Sequence, residues 1–252
     1  NRLRINGIVP IYIFDGIPSK EKREVIIGRK NKKTEYKDKI DKLSLELQQL
    51  ENPDDIMNMK KDISKLESKL ITVTKDDIIS VKNFLDNMKI KYLQAEGEAD
   101  FLCSKLCSTG IVDFVISEDM DLLTSGTKLL LRDFNIYNNK ATLYDLDMIL
   151  KNLDLSYEKW VELCILFGCD YVKRINKFGP KKSYKCIKDN INIEDIIIGL
   201  KLKNVEIDIN YINNFNNAKK LFMNYSIDYL KDQKLDSEYG NICHLRLDEK
   251  KS

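Results

Sequence analysis

The sequence predicts an α/β fold in which a mostly parallel central sheet is flanked by helices. Two observations carry this. The apolar runs IVPIYIFDG (residues 8–16) and IVDFVI (111–116) read as buried strands, and each gives way to acids. Stretches of helical spacing separate and follow them, and alternation of strand with helix is the pattern of a parallel sheet. A length of 252 residues and a hydrophobic content of 43% suffice for one sizeable core and a small second unit.

Taken in order, NRLRINGIVP leads straight into the first strand, as if the chain began partway through a domain. That strand closes on Asp15-Gly16, and Pro18 fits a turn or a first helical position. Residues 20–42 carry ten basic side chains against five acids. Ile40, Leu43, Leu47 and Leu50 then recur at helical spacing, NPDD at 52–55 breaks the pattern, and Ile56, Met59, Ile63, Leu66 and Leu70 resume it. Two helices with such narrow apolar stripes suggest a hairpin that projects from the core. TVTKDDIISVKNFLDNMKI (72–90) reads as an amphipathic helix with Thr74 at its N-cap and Asp77 three residues on. KYLQ leads to AEGEADFLCSKLCSTG, a helix stopped by Gly110, and KLLLRDF is a further strand.

Residues 157–190 read as helix, break, helix; from Lys173 to Lys188 there are seven basic residues and no acid. INIEDIIIGL is one more short helix. From about residue 205 onward the chain is polar with patchy hydrophobes, the look of surface helices and loops.

Composition excludes several classes of function. No apolar run approaches the roughly 20 residues of a membrane span. The six cysteines, at 103, 107, 164, 169, 186 and 243, form no CxxC pair, and His244 is the single histidine. A structural zinc site and catalysis by a central histidine are disfavoured, and the expectation is a reduced intracellular protein. The formal charge of +2 hides local clusters, which matter more than the average.

Those clusters include acids. Asp15 follows one strand; Asp119 and Asp121, in SEDMDLLTSG, follow another. Ligands of open α/β sheets bind beyond the carboxyl ends of strands, so both sites can lie at one edge. In an extended segment Asp119 and Asp121 would share a face. Glu96 and Glu98 sit at a helix start, and Asp170, in FGCDY, stands where a helix ends and the basic break begins. Each has a bland reading: first-turn acids for Glu96 and Glu98, an N-cap for Asp119, a surface residue for Asp170. Jointly they call for a cation, because gathered carboxylates repel one another. Hard divalent ions prefer oxygen ligands, and two of them about 4 Å apart can assist phosphodiester hydrolysis. Glu118 reads as a neighbour or surface residue, with Leu122 and Leu123 anchoring the turn and Gly126 ending it. Cys103, Cys107, Trp160 and the Leu163–Phe167 stripe read as core.

The strings YIFDGIPSK, ITVTKDDIISVKNFL, YLQAEGEADFLCSKL, VISEDMDLLTSG, LCILFGCDY and INKFGPKKS, in this order, resemble the flap endonuclease and XPG-type structure-specific 5′ nuclease family, flap endonuclease branch. The resemblance covers residues 1 to about 200 and implies a PIN-like nuclease core with a projecting helical arch and a helix-hairpin-helix element. The expected divisions are 1–19 as the start of the core, 20–70 as the arch, 71–156 as the core, 157–200 as the DNA-binding helix-hairpin-helix region, and 201–252 as C-terminal helices and tail. Asp15, Glu96, Glu98, Asp119, Asp121 and Asp170 match the family's carboxylates, which bind two Mg²⁺ ions, or Mn²⁺. Asp15, Glu96, Glu98 and Asp119 would face one metal region, Asp121 and Asp170 the other. Lys22 and Arg29 resemble the basic pair at the base of the arch, where they would contact the scissile phosphate; Lys30 adds charge beside them. INKFGPKKS would hold DNA backbone through Lys177, Gly179, Lys181 and Lys182, with a K⁺ in this family.

There are departures. Lys177 stands where the family usually has glycine. The resemblance also implies an upstream strand ending in another metal-ligand Asp, and a clamp-binding peptide that CHLRLDEKKS does not display. The implied activity is 5′ flap endonuclease and 5′–3′ exonuclease on DNA, in repair or replication. Expected partners are branched or 5′-flapped DNA, RNA-containing flaps included, with no membrane, a monomeric state and nuclear localisation. Alternatives are a Holliday-junction or bubble nuclease of the same superfamily, or a non-catalytic DNA-binding scaffold.

Overall fold

A computed structural model describes residues 2–227 apart from positions 136 and 139. The chain divides into two compact units, one of residues 1–21 with 90 onward, the other Lys22–Lys89. Along the chain, a helical turn α1 (Arg2–Ile5) precedes β1 (Ile11–Phe14).

The second unit holds α2 (Arg23–Leu47), α3 (Pro53–Ser68) and α4 (Lys75–Asn87). Asn52 caps α3, accepting the Asp54 N–H at 2.9 Å, and Pro53 occupies the first turn, where it lacks no bond it needs. The stripe read from the sequence is the half-buried one: Ile40, Leu43 and Leu47 on α2, and Ile56, Met59, Ile63 and Leu66 on α3. No residue of α3 is fully buried, as expected of a hairpin with so narrow a seam. Lys69 lies 5.1 Å over the Tyr36 ring. Thr74 and Asp77 form a reciprocal capping box: Asp77 N–H donates to Thr74 Oγ1 at 3.2 Å, and Thr74 N–H to Asp77 Oδ2 at 2.8 Å. The Thr74 N–H, and then the Thr74 hydroxyl that donates to the same Oδ2 at 2.7 Å, hold the Asp77 carboxyl below its usual range.

The first unit resumes with β2 (Lys91–Gln94), α5 (Ala99–Ser108), β3 (Val115–Ile116), the short α6 (Asp121–Thr124), β4 (Leu129–Asn135), β5 (Lys140–Asp145), α7 (Leu146–Leu153), α8 (Tyr157–Phe167), α9 (Pro180–Lys188), α10 (Ile193–Lys201) and α11 (Tyr211–Met223). β1 pairs with β2 in parallel, Ile11 opposite Lys91 and Phe14 opposite Gln94. β3 pairs with β4 in parallel, but β4 pairs with β5 antiparallel. The expected mostly parallel central sheet is therefore mixed, and among the described residues it stands as two sheets, of two strands and three. A groove of about 550 Å³ runs between them, lined by Ile8, Ile11, Ile13 and Cys103 on one side and Val115 and Phe134 on the other.

Three expectations are corrected. The run IVDFVI yields only Val115–Ile116 as strand. Its first residues finish α5 instead: Ile111 N–H and Val112 N–H both donate to the Leu106 carbonyl, at 2.9 and 3.2 Å. The chain after residue 205 is not all surface. Tyr211, Phe215, Ala218 and Phe222 of α11 are buried in the largest core cluster, with Val161, Ile165 and Leu166 of α8. Asp119 and Asp121 do not share an extended face, since Asp121 opens a helical turn. A smaller cluster joins Cys107, Val115, Leu122, Leu123, Leu130 and Leu146. The tail CHLRLDEKKS, with Cys243 and His244, lies outside the described residues.

Candidate active site

Parallel pairing brings the ends of β1 and β2 together, and with them the first two acidic strings. Gly16 N–H donates to the Gly97 carbonyl at 2.6 Å and Ile17 N–H to the Glu96 carbonyl at 2.9 Å. Gln94 Nε2 donates to the Asp15 carbonyl at 2.5 Å. The Asp15 side chain crosses to the start of α5, where its Oδ1 accepts the Ala99 N–H at 2.8 Å. That satisfies a first-turn donor and sets negative charge at the positive end of the helix. Glu98 is the N-cap residue of α5, and at 8% exposure it is the most enclosed of the candidate acids.

Glu98 also reaches the third acidic string. Its Oε1 accepts the Tyr171 hydroxyl at 3.0 Å, and Tyr171 directly follows Asp170. Burial, and then the Glu98 charge, push the Tyr171 hydroxyl far above its ordinary range, so it stays a donor. After β3, Asp119 Oδ1 accepts the Asp121 N–H at 2.9 Å, while Asp119 N–H donates to Ser117 Oγ at 3.1 Å. This is an Asx turn one residue ahead of the helix, and it corrects the N-cap reading of Asp119, because Met120 is the N-cap of α6. Leu122 and Leu123, both buried, anchor the turn, and Gly126 closes it with φ +91°. Glu118 faces elsewhere: its Oε1 accepts the Asp133 N–H at 3.0 Å, and Arg132 lies 3.7 Å from Oε2.

Two thiols report where Asp121 and Asp170 stand. Cys169 is pushed up to about 11, by burial first and then by Asp121 and Asp170. Cys164 is pushed up to about 12, by burial first and with Asp121 adding to it. Cys103 is raised to about 12 by burial, with Asp100 and Asp15 contributing. These thiols therefore stay protonated at neutral pH and are poor ligands for a soft metal. The donors that remain are carboxylate oxygens, the set that suits a hard divalent ion. Among the described residues, however, no three His, Cys, Asp or Glu side chains come together closely enough to hold a metal as they stand. Asp15, Glu98 and Asp119 each answer a protein donor instead.

The basic candidates fall in both units. Lys22 closes a 3₁₀ turn, Lys20–Lys22, and Arg29 and Lys30 lie on α2, all in the second unit. Lys177, Gly179, Lys181 and Lys182 belong to the first. Gly179 is the N-cap of α9 and Pro180 its first residue, and Ser183, fully buried, donates its hydroxyl to the Gly179 carbonyl at 3.2 Å. Lys181 and Lys182 are exposed at that helix start, in a first turn without an acid. Lys177 has φ +60°, the left-handed conformation that glycine takes without strain. Sequence reasoning missed Tyr171 and Gly16 as site residues, although both adjoin acids that it singled out, in CDY and FDG.

The fold is that of a structure-specific nuclease core. The catalytic core of Rad2 in complex with DNA substrate aligns with a TM-score of 0.63 at 23% identity, over 90% of this chain and 69% of that one. Flap endonuclease-1 from Methanococcus jannaschii aligns with a TM-score of 0.58 at 20% identity, over 92% and 72%. Residues 89–170 match the XPG I-region family. The chain is 33% identical to flap endonuclease 1 of Aedes aegypti, over 88% of its own length and 56% of that protein. To flap endonuclease 1 of Xenopus tropicalis it is 31% identical, over 98% and 60%. The chain belongs to the XPG and flap endonuclease family, in the flap endonuclease branch. It spans less than two thirds of the length of these relatives.

Proposed function

We propose that the chain is the catalytic part of a structure-specific 5′ nuclease that hydrolyses DNA phosphodiesters where duplex meets a 5′ single strand, as a 5′ flap endonuclease and 5′–3′ exonuclease. One observation carries the reading. Carboxylates from three loops are tied to one scaffold, Asp15 to the start of α5 and Glu98, at that same start, to the residue beside Asp170. The relationship to flap endonuclease 1 supports the choice of a 5′ flap.

Asp15, Glu96, Glu98 and Asp119 would hold one Mg²⁺, and Asp121 and Asp170 a second, with Mn²⁺ able to substitute. When bound, the ions would polarise the scissile phosphate and lower the pKa of an attacking water. Water adds to phosphorus, the bond from phosphorus to the 3′ oxygen breaks, and that oxygen takes a proton, leaving a 5′-phosphate and a 3′-hydroxyl. Lys22 and Arg29 offset charge on the phosphate as it develops. Lys30, Lys177, Lys181 and Lys182, with the close approach at Gly179, hold the DNA backbone without reading bases, and a K⁺ fits the same hairpin. Specificity then comes from the shape of the junction. RNA-containing flaps fit the same chemistry, and a monomer working in the nucleus is the matching cellular reading.

Asp121→Asn tests the reading on a labelled 5′ flap with Mg²⁺, with a four-way junction as the comparison substrate. Cleavage should collapse while duplex binding at moderate salt persists. Cleavage that survives removes the metal assignment, preference for the four-way junction favours the junction-resolving alternative, and DNA binding without cleavage by the wild type favours a scaffold.

A further inference from the structure

We infer that Tyr171 is a positioning residue for Glu98, an inference that rests on the metal-ligand role proposed above for that acid. The Tyr171 hydroxyl donates to Glu98 Oε1 at 3.0 Å, and Glu98 is 8% exposed, so little water competes for the bond. The donor is itself fixed. Its ring stacks on Phe101, centroids 6.3 Å apart and planes 21° from parallel, and meets Phe222 edge-on at 5.6 Å. Phe101 lies on α5, the helix that Glu98 caps, so one helix carries both the carboxylate and the ring that seats its donor. Tyr171 also follows Asp170 directly, so this bond sets the loop of one candidate ligand against the loop of another. Hydrogen bonds of this kind orient a ligating carboxylate, and removing one typically weakens metal binding about 10–100-fold.

Tyr171→Phe deletes the hydroxyl and keeps the ring. Binding of Mn²⁺ to the full chain is followed by electron paramagnetic resonance of the free ion, with near-ultraviolet circular dichroism in EDTA as the control for packing. The variant should keep the wild-type dichroism and bind Mn²⁺ about tenfold more weakly. In a Glu98→Ala background the same change should have no further effect, because the hydroxyl acts through Glu98. Wild-type affinity in Tyr171→Phe overturns the inference, as does an equal loss in the Glu98→Ala background, and lost dichroism makes the role structural. A wild-type chain that binds no Mn²⁺ overturns the metal reading and this inference together. A wild type that binds beside an unaffected variant overturns this inference alone.

Discussion

Gly16 lies flat against the backbone of Glu96: a Cβ built on Gly16 would stand 2.5 Å from the Glu96 carbonyl carbon and overlap the carbonyl oxygens of Ala95 and Glu96. Those atoms are backbone, held by the bonds from Gly16 N–H to Gly97 and from Ile17 N–H to Glu96, and cannot swing aside as a flexible side chain would. Gly16→Ala must therefore push the Asp15 loop off the Glu96–Glu98 loop. The expected loss is about 1–3 kcal/mol in urea unfolding, the usual range for overpacking. Flap cleavage should fall far more than that loss of stability accounts for, because Asp15 and Glu98 move apart. A variant with wild-type stability and cleavage would show that the two loops need not touch.

Lys177 offers the opposite case. At φ +60° its side chain is strained where glycine is not. Lys177→Gly should stabilise the chain by about 0.5–1 kcal/mol, the relief of strain offset in part by the entropy glycine brings to the unfolded state. The same change removes a proposed phosphate contact. The slope of log K against log salt for duplex binding should then shrink by about one unit, with no change in sequence preference. Denaturant melts and fluorescence anisotropy at several salt concentrations check the two effects separately.

Much of this architecture was legible because it rests on local chemistry. The Thr74 and Asp77 capping box and the narrow stripes of α2 and α3 are written in consecutive residues. The candidate acids could be picked out because charges at strand ends are costly and stand out. Other features depend on partners far away in sequence. β5 went unread because KATLYD is mostly exposed and gives no strong apolar alternation. The turn before it is made by Asn135 Oδ1 accepting the Tyr137 N–H at 2.9 Å. In α11 the buried Tyr211, Phe215, Ala218 and Phe222 are diluted by asparagines, which hid the stripe. Tyr171 could not be assigned to Glu98 at all, since 73 residues separate them.

The turn that carries Asp119 and Asp121 is held from below by α8. Tyr157 donates its hydroxyl to the Thr124 carbonyl at 2.9 Å, and Trp160 Nε1 donates to the Leu123 carbonyl at 3.2 Å. Both acceptors are carbonyls at the end of α6; Leu123 also accepts the Gly126 N–H at 3.2 Å, whereas the Thr124 carbonyl has no later N–H of so short a helix to accept. Tyr157→Phe keeps the packing and orphans one acceptor, so it should cost about 1–3 kcal/mol. Because Thr124 is three residues from Asp121, cleavage should fall as well. A urea melt reads the first effect and single-turnover kinetics the second. Unchanged stability would mean that water satisfies Thr124.

Alkaline pH should destabilise the chain through its half-buried thiols. Cys103 and Cys164 are both raised from 9.0 to about 12, chiefly by burial. Their folded values exceed the unfolded ones, so below pH 9 both states hold the proton and the stabilising preference is intact. Above pH 9 the unfolded chain ionises first, and stability is lost progressively as pH rises toward about 12. Tyr157, raised from 10.0 to about 12 by burial and then by Cys164, adds to the loss in the upper part of that window. Urea midpoints measured from pH 8 to 11 should fall more steeply for the wild type than for Cys164→Ala, which removes one of these protons. The raised value predicts that Cys164 resists iodoacetamide at pH 8 in the folded chain and reacts once urea is added, because thiolate is the reactive form. Equal pH slopes in wild type and variant, or rapid native alkylation of Cys164, would place that thiol in water rather than against α6.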